Sequence, residues 1–272
     1  MGEGQRRQAG HVARREAPRH SHRTQPPGVT PEHLAYAVAI ILFAFFVRGI
    51  TGFGSGLVAI PLLAHFLPLP FVVPFMLVLD FSAAVTLLGG SGLKRVNWDE
   101  LKPLLPFGLT GVLIGVFLLV KLPREPLLIG LGLFVMVFGI RTLLHIHGDK
   151  PISRLWAIPA GLTGGTVGAL FGTGGPPYIV YLTHRLREKA EFRSTFSALF
   201  MIEGGSRLAA FLVTGLLLQE NMLTALLLAL PVMALGLYLG HHVHLGISQR
   251  QLFRVIGLLL LGSGASLVFK AL

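Results

Sequence analysis

The chain contains no cysteine and little charge: Asp, Glu, Lys and Arg make up 13% of its 272 residues. Without cysteine there is no disulfide, no thiol nucleophile and no thiolate-held metal. Soluble domains carry about 25% charged residues. The shortage here, with 53% hydrophobic residues and a mean hydropathy of +0.71, excludes a large water-soluble fold. Other signatures are missing as well. There is no GxxxxGK[ST], no GxGxxG after a strand pattern and no HExxH, which removes phosphate-loop, dinucleotide and zinc-protease readings. His145 and His147, and His241, His242 and His244, sit in loops with no carboxylate or cysteine at ligand spacing. No metal and no cofactor is expected. Dyad-alternating short strands are also lacking, and the apolar runs are helix-sized, so the class is an all-α integral membrane protein, a polytopic helical bundle rather than a barrel.

The charge that is present is lopsided, with a net +11. Arg6, Arg7, Arg14, Arg15, Arg19 and Arg23 lie among Gln, Pro, Gly and His in residues 1–33. That segment has no apolar face and is predicted to be a disordered tail that at most meets anionic lipid. It is too polar for a signal peptide. Most other basic residues fall in short loops, where a positive-inside bias accounts for them, and no nucleic-acid partner is expected.

Glycine is abundant, with 34 residues, and its spacing repeats. Phe53-Gly54-Ser55-Gly56 matches Phe171-Gly172-Thr173-Gly174. Farther on, Pro106, Gly111, Gly115, Gly132 and Gly139 match Pro231, Gly236, Gly240, Gly257 and Gly264 at one constant offset. The chain therefore divides into a tail (1–33), a first transmembrane copy (34–144), a linking loop (145–154) and a second copy (155–272). The loop with Lys94 and Arg95 corresponds to Gln219-Glu220-Asn221, which holds no basic residue. The plain turn at Pro68–Pro70 corresponds to a loop with Arg185, Arg187, Lys189 and Arg193. Equivalent loops of unlike charge are what inverted copies produce. Placing the basic loops inside requires five segments per copy and puts both termini outside, against the sign of the tail.

The copies differ from plain membrane helices at two places, and the more marked is Gly164–Leu182, GGTVGALFGTGGPPYIVYL. Glycine weakens a helix and proline removes a donor, so a break is predicted within Gly172–Pro177. Lipid cannot satisfy freed backbone groups, so such a break must be covered by protein or line a cavity. A kinked packing helix is the plainer alternative.

Gly52–Leu63 reads GxGxGxxxxPxL and Gly172–Leu182 reads GxGGPPxxxxL. In two apolar halves, these motifs resemble the TauE/SafE (sulfite exporter) permease family over nearly everything after residue 33. The resemblance implies a carrier of small anions (sulfite, sulfonates, other sulfur compounds or organic acids) in the bacterial inner membrane. Ser55 departs from the family's usual run of three glycines.

The expected substrate-binding set is Gly54, Ser55, Gly56, Gly172, Thr173, Gly174, Gly175, Pro176 and Arg207. Glycines let backbone N–H groups converge on an anion, a half-helix N-terminus adds a positive dipole end, and Ser55 and Thr173 offer hydroxyls at matching positions. A hydroxyl bonded back to its own preceding turn is the alternative for both. The two breaks should meet near the bilayer midplane. Charges within apolar segments mark function by default, which assigns Arg48, Asp80, Glu203 and Arg193 to gating or proton coupling. For Arg193 a positive-inside marker is an equal reading. Asp80 and Glu203 hold near-equivalent places in the two copies. Glu203 and Arg207 stand at i, i+4 on one face, and an ion pair between them is predicted. The expected partners are a small anion, membrane lipids and a second copy of the chain. The rival function is a membrane-embedded phosphatase or transferase acting on lipid phosphate. Its clustered acid, base and phosphate-holding groups are poorly supplied by Asp80, Glu203, Arg207 and Arg48.

Overall fold

The computed structural model describes residues 31–52, 54–87, 95–144, 152–242 and 249–272. The basic tail falls outside them apart from its last residues, as do Phe53 and Lys94. Among the described residues there are only helices. They are α1 (Pro31–Thr51), α2 (Ser55–Leu63), α3 (Leu69–Leu87), α4 (Trp98–Lys121), α5 (Arg124–Leu144), α6 (Ala157–Phe171), α7 (Gly175–Arg185), α8 (Lys189–Val213), α9 (Met222–His242) and α10 (Gln249–Ala271), with a 3-10 turn at Arg154–Trp156 before α6. Six of them are long and apolar enough to cross a membrane: α1, α4, α5, α8, α9 and α10.

The predicted breaks are present. At 1.5 Å per residue, α2 with nine residues, α7 with eleven and α6 with fifteen fall short of the roughly 20 residues a span needs. Gly52 (φ 82°), Gly54 (φ 95°) and Gly172 (φ 67°) take left-handed backbone, which ends α1 and α6. The prolines do not form the second break themselves. Pro176 and Pro177 lie in the first turn of α7, where a missing N–H is harmless. Arg48 lies in the last turn of α1. α8 begins with Lys189 and stops at Val213.

The matched glycines are the contact points between helices. On α4, Gly111 and Gly115 meet the Leu162 and Thr166 carbonyls of α6; on α9, Gly236 and Gly240 meet the Leu42 and Phe46 carbonyls of α1. Both of these helix pairs run parallel. Gly132 and Gly139 on α5 face Gly264 and Gly257 on α10, so α5 and α10 run antiparallel. A Cβ at Gly132 would stand 2.7 Å from the Gly264 carbonyl oxygen, and one at Gly264 would stand 2.7 Å from the Gly132 carbonyl oxygen. Small residues thus admit the close backbone approach that joins membrane helices without a hydrophobic driving force. Exchanging α1–α5 with α6–α10 carries α4·α6 onto α9·α1 and leaves α5·α10 unchanged. The central core, with Phe45, Ile60, Leu63, Met76, Leu79, Leu131 and Phe211 fully buried, is built around α2 and α3.

Candidate functional site

The two breaks pack on each other. A Cβ at Gly56, in the first turn of α2, would lie 3.0 Å from the Gly172 carbonyl oxygen and 3.5 Å from Asp80 Oδ2. Gly172 in turn faces Ile60 and Val73. The second break folds back onto its own helix, with a Cβ at Gly174 falling 2.8 Å from the Gly168 Cα. Four charged side chains are buried around this meeting point: Arg48, Asp80, Glu203 and Arg207, each no more than 7% exposed.

On the first copy's side the charges are matched. Arg48 Nη1 donates to Asp80 Oδ1 at 2.6 Å and to Ser55 Oγ at 3.0 Å, while Nη2 reaches the Asp80 backbone carbonyl at 3.1 Å. Ser55 donates its one hydroxyl hydrogen to Asp80 Oδ1 at 2.5 Å. Ser55 is therefore committed to holding Asp80, and its hydroxyl is neither free for an anion nor bonded to its own preceding turn.

The second copy's side is unmatched. Arg207 and Glu203 form no salt bridge, although the i, i+4 spacing predicts one. Tertiary partners take both ends. Arg207 Nη1 donates at 2.7 Å to the Gly168 carbonyl, one of the acceptors that the last turn of α6 leaves open, and its Nε has no hydrogen-bond partner. Glu203 Oε1 accepts from the Tyr178 hydroxyl on α7. Thr173 is buried at 5% exposure, and its Oγ1 also lacks a partner. Arg207 bonds Gly168, against which Gly174, the neighbour of Thr173, also packs, so this side holds a buried guanidinium without an ion-pair partner and a buried hydroxyl without a hydrogen-bond partner.

The remaining predicted residues distribute as follows. Gly54 has open space around the position of a Cβ, Gly175 faces Phe196 and Ile179, and Pro176 is buried in α7. Because Pro176 and Pro177 carry no N–H, the donors this end of α7 can offer come from Thr173, Gly174 and Gly175. Arg193 lies on α8, with its side chain outside the described residues. His65 Nδ1 pairs with the Pro61 carbonyl and His184 Nδ1 with the Val180 carbonyl.

The model of the sulfite exporter TauE/SafE family matches residues 37–267, which takes in both breaks and all four buried charges. The chain belongs to the sulfite exporter TauE/SafE family. It is accordingly a membrane transporter and not an enzyme. This TauE/SafE protein is similar to a probable inner membrane transporter protein TsaS from Comamonas testosteroni, 33% identical over 71% of this chain and 80% of the relative. It is also similar to a probable membrane transporter protein from Haemophilus influenzae, 27% identical over 63% of this chain and 71% of the relative. No solved structure matches it.

One charged cluster of this family member has no sequence signal. Glu100, in the first turn of α4 and 4% exposed, accepts from Tyr181 Oη at 2.7 Å, Arg185 Nη2 at 2.6 Å and Arg154 Nε at 3.2 Å. Arg185 Nη1 also holds the Ile152 carbonyl at 3.1 Å. Asn97, which caps α4, donates to Glu191 and accepts nothing from it, while its backbone N–H donates to Thr195. This network joins the start of α4 to the ends of α7 and α8 and to the linker between copies. Glu100→Gln is expected to destabilise the fold by roughly 1–3 kcal/mol, since Arg185 stays partly buried without its charge partner. A lowered melting midpoint in detergent checks this; an unchanged midpoint contradicts it.

Proposed function

We propose that the protein carries small monovalent anions, sulfonates and sulfite foremost, across the bacterial inner membrane by alternating access around the meeting point of the two breaks. The observation that carries the reading is Arg207: a buried cation with an unpartnered Nε and no acidic partner, set against the unpartnered Thr173 hydroxyl at a broken helix. Arg48 also leaves its Nε without a partner, but its charge is matched by Asp80, which Arg207's is not. The inner-membrane setting rests on the relative from Comamonas testosteroni and on the six span-length helices.

The antiparallel contact of equivalent helices α5 and α10 supports an inverted duplication. An axis along the membrane normal would bring equivalent helices together parallel, whereas an axis in the membrane plane brings them together antiparallel, as here. The breaks would then lie near the midplane, and rocking of one copy against the other would expose them to each side in turn. Purified protein in liposomes tests the reading directly, with uptake of labelled sulfite, methanesulfonate and acetate read against empty liposomes. Uptake of one or more of these anions is expected; none taken up at verified incorporation would overturn the reading.

A further inference from the structure

Glu203 is the one buried acid here whose hydrogen-bond count does not suit a carboxylate. Asp80 is held by Arg48 and Ser55, and Glu100 by two arginines and a tyrosine. Glu203, 3% exposed, has Tyr178 as its hydrogen-bond partner and no cation within salt-bridge distance. An ionised carboxylate in an apolar interior calls for several donors. The groups facing Glu203 are Tyr178 from α7 and Arg207 one turn along α8. From α6 comes the Gly161 carbonyl that lies against Tyr178, and from α4 comes Gly108, where a Cβ would fall on Glu203 Oε1 and 2.9 Å from the Tyr178 hydroxyl.

The hydrogens can be counted. The Tyr178 hydroxyl oxygen touches both Glu203 Oε1 and, at 3.2 Å, the Gly161 carbonyl oxygen. A phenol has one hydrogen. If Glu203 is ionised, both neighbours are acceptors and one contact has no hydrogen between its oxygens. If Glu203 is the neutral acid, its O–H donates to the phenol oxygen and the phenol donates to Gly161, so each contact holds one hydrogen.

We propose that Glu203 is a proton-binding site of the transport cycle, filled together with an anion at Arg207, which makes the protein a proton–anion symporter. The inference rests on the anion reading above. Charge balance gives it direction. Arg48 and Asp80 cancel. With an anion on Arg207, the buried set is neutral only if Glu203 holds a proton; with the site empty, it is neutral only if Glu203 has released it. Uncompensated charge at membrane depth is costly. The carrier therefore moves loaded with both or empty of both, and each ligand strengthens binding of the other.

The test uses the full chain in liposomes, with methanesulfonate as the probe because a sulfonate does not titrate near neutral pH, and ethanesulfonate as a second monovalent anion. Wild-type methanesulfonate uptake is expected to rise severalfold with an inward-directed proton gradient, to carry one proton per anion and to ignore an imposed membrane potential. Glu203→Gln, whose amide mimics the neutral acid, is expected to lose the response to the proton gradient, with the uptake that remains becoming sensitive to potential. Glu203→Asp keeps the gradient response. Infrared spectra at neutral pH with saturating methanesulfonate should show a carboxylic-acid carbonyl band that weakens when the anion is removed and that Glu203→Gln lacks, which reads the proton even where flux is low. Proton-free uptake by wild type, an unchanged gradient response in Glu203→Gln, or an unaltered acid band overturns the proposal while leaving the anion reading intact. Uptake of neither probe by wild type overturns both.

Discussion

Gly174→Leu is expected to abolish anion flux. Gly174 has φ −68°, which any residue adopts, so no backbone strain enters. The effect is steric. A Cβ there already falls against the Gly164 carbonyl and 2.8 Å from the Gly168 Cα, with the Gly168 nitrogen at 3.1 Å. Gly168 is also where Arg207 is anchored. Leucine must therefore push the α6–α7 break off α6 and carry Thr173 away from Arg207. Overpacking of this kind destabilises by about 1–3 kcal/mol even where the fold survives. Gly205→Ala on α8, where nothing lies within 4 Å of a Cβ, is the matched control and should transport normally. Flux at equal protein incorporation checks the pair. Wild-type flux from folded Gly174→Leu protein would remove the second break from the site.

Arg207→Gln is expected to separate stability from function. A buried cation that lacks a counter-ion and leaves Nε without a partner is a local liability. Its removal breaks no salt bridge, and Glu203, hydrogen-bonded to Tyr178, can stay neutral by keeping its proton. The melting midpoint should stay level or rise. Anion binding, by contrast, should weaken by roughly 1.5–3 kcal/mol, the worth of hydrogen bonds to a charged group, which is about ten- to a hundred-and-fiftyfold in half-saturating concentration. A marked fall in stability would mean that Arg207 is a structural partner of Glu203 after all. Unchanged half-saturation would mean that no anion rests on it.

Much of this architecture was legible because membrane packing writes itself in small residues. The matched glycines at Gly111, Gly115, Gly236 and Gly240 are spaced for close helix approach, and each does meet a backbone carbonyl on its partner. The breaks were legible for a related reason, since left-handed backbone at Gly52, Gly54 and Gly172 needs glycine. Side-chain partners were not. An i, i+4 spacing places Glu203 and Arg207 on one face but is silent on Tyr178 and the Gly168 carbonyl, which outcompete the local pair. Ser55 and Thr173 match in sequence, yet the acid that captures Ser55 lies 25 residues on, and Thr173 has no such neighbour. The Glu100 cluster was hidden because Arg154 and Arg185 stand 54 and 85 residues away, at segment ends where arginine reads as a topology marker.

The central claim is that an anion occupies the space between Arg207 and Thr173, and the natural absence of cysteine gives a clean background for testing it. Thr173→Cys introduces a single thiol of nearly the same size at that point. In liposomes, its labelling by a membrane-impermeant thiol reagent should be slowed severalfold by millimolar methanesulfonate or sulfite, and not by an equal concentration of uncharged sucrose. Combined with Arg207→Gln, the protection should vanish. Labelling that proceeds at one rate with and without every anion tried would contradict a site at Thr173 and the transport reading built on it.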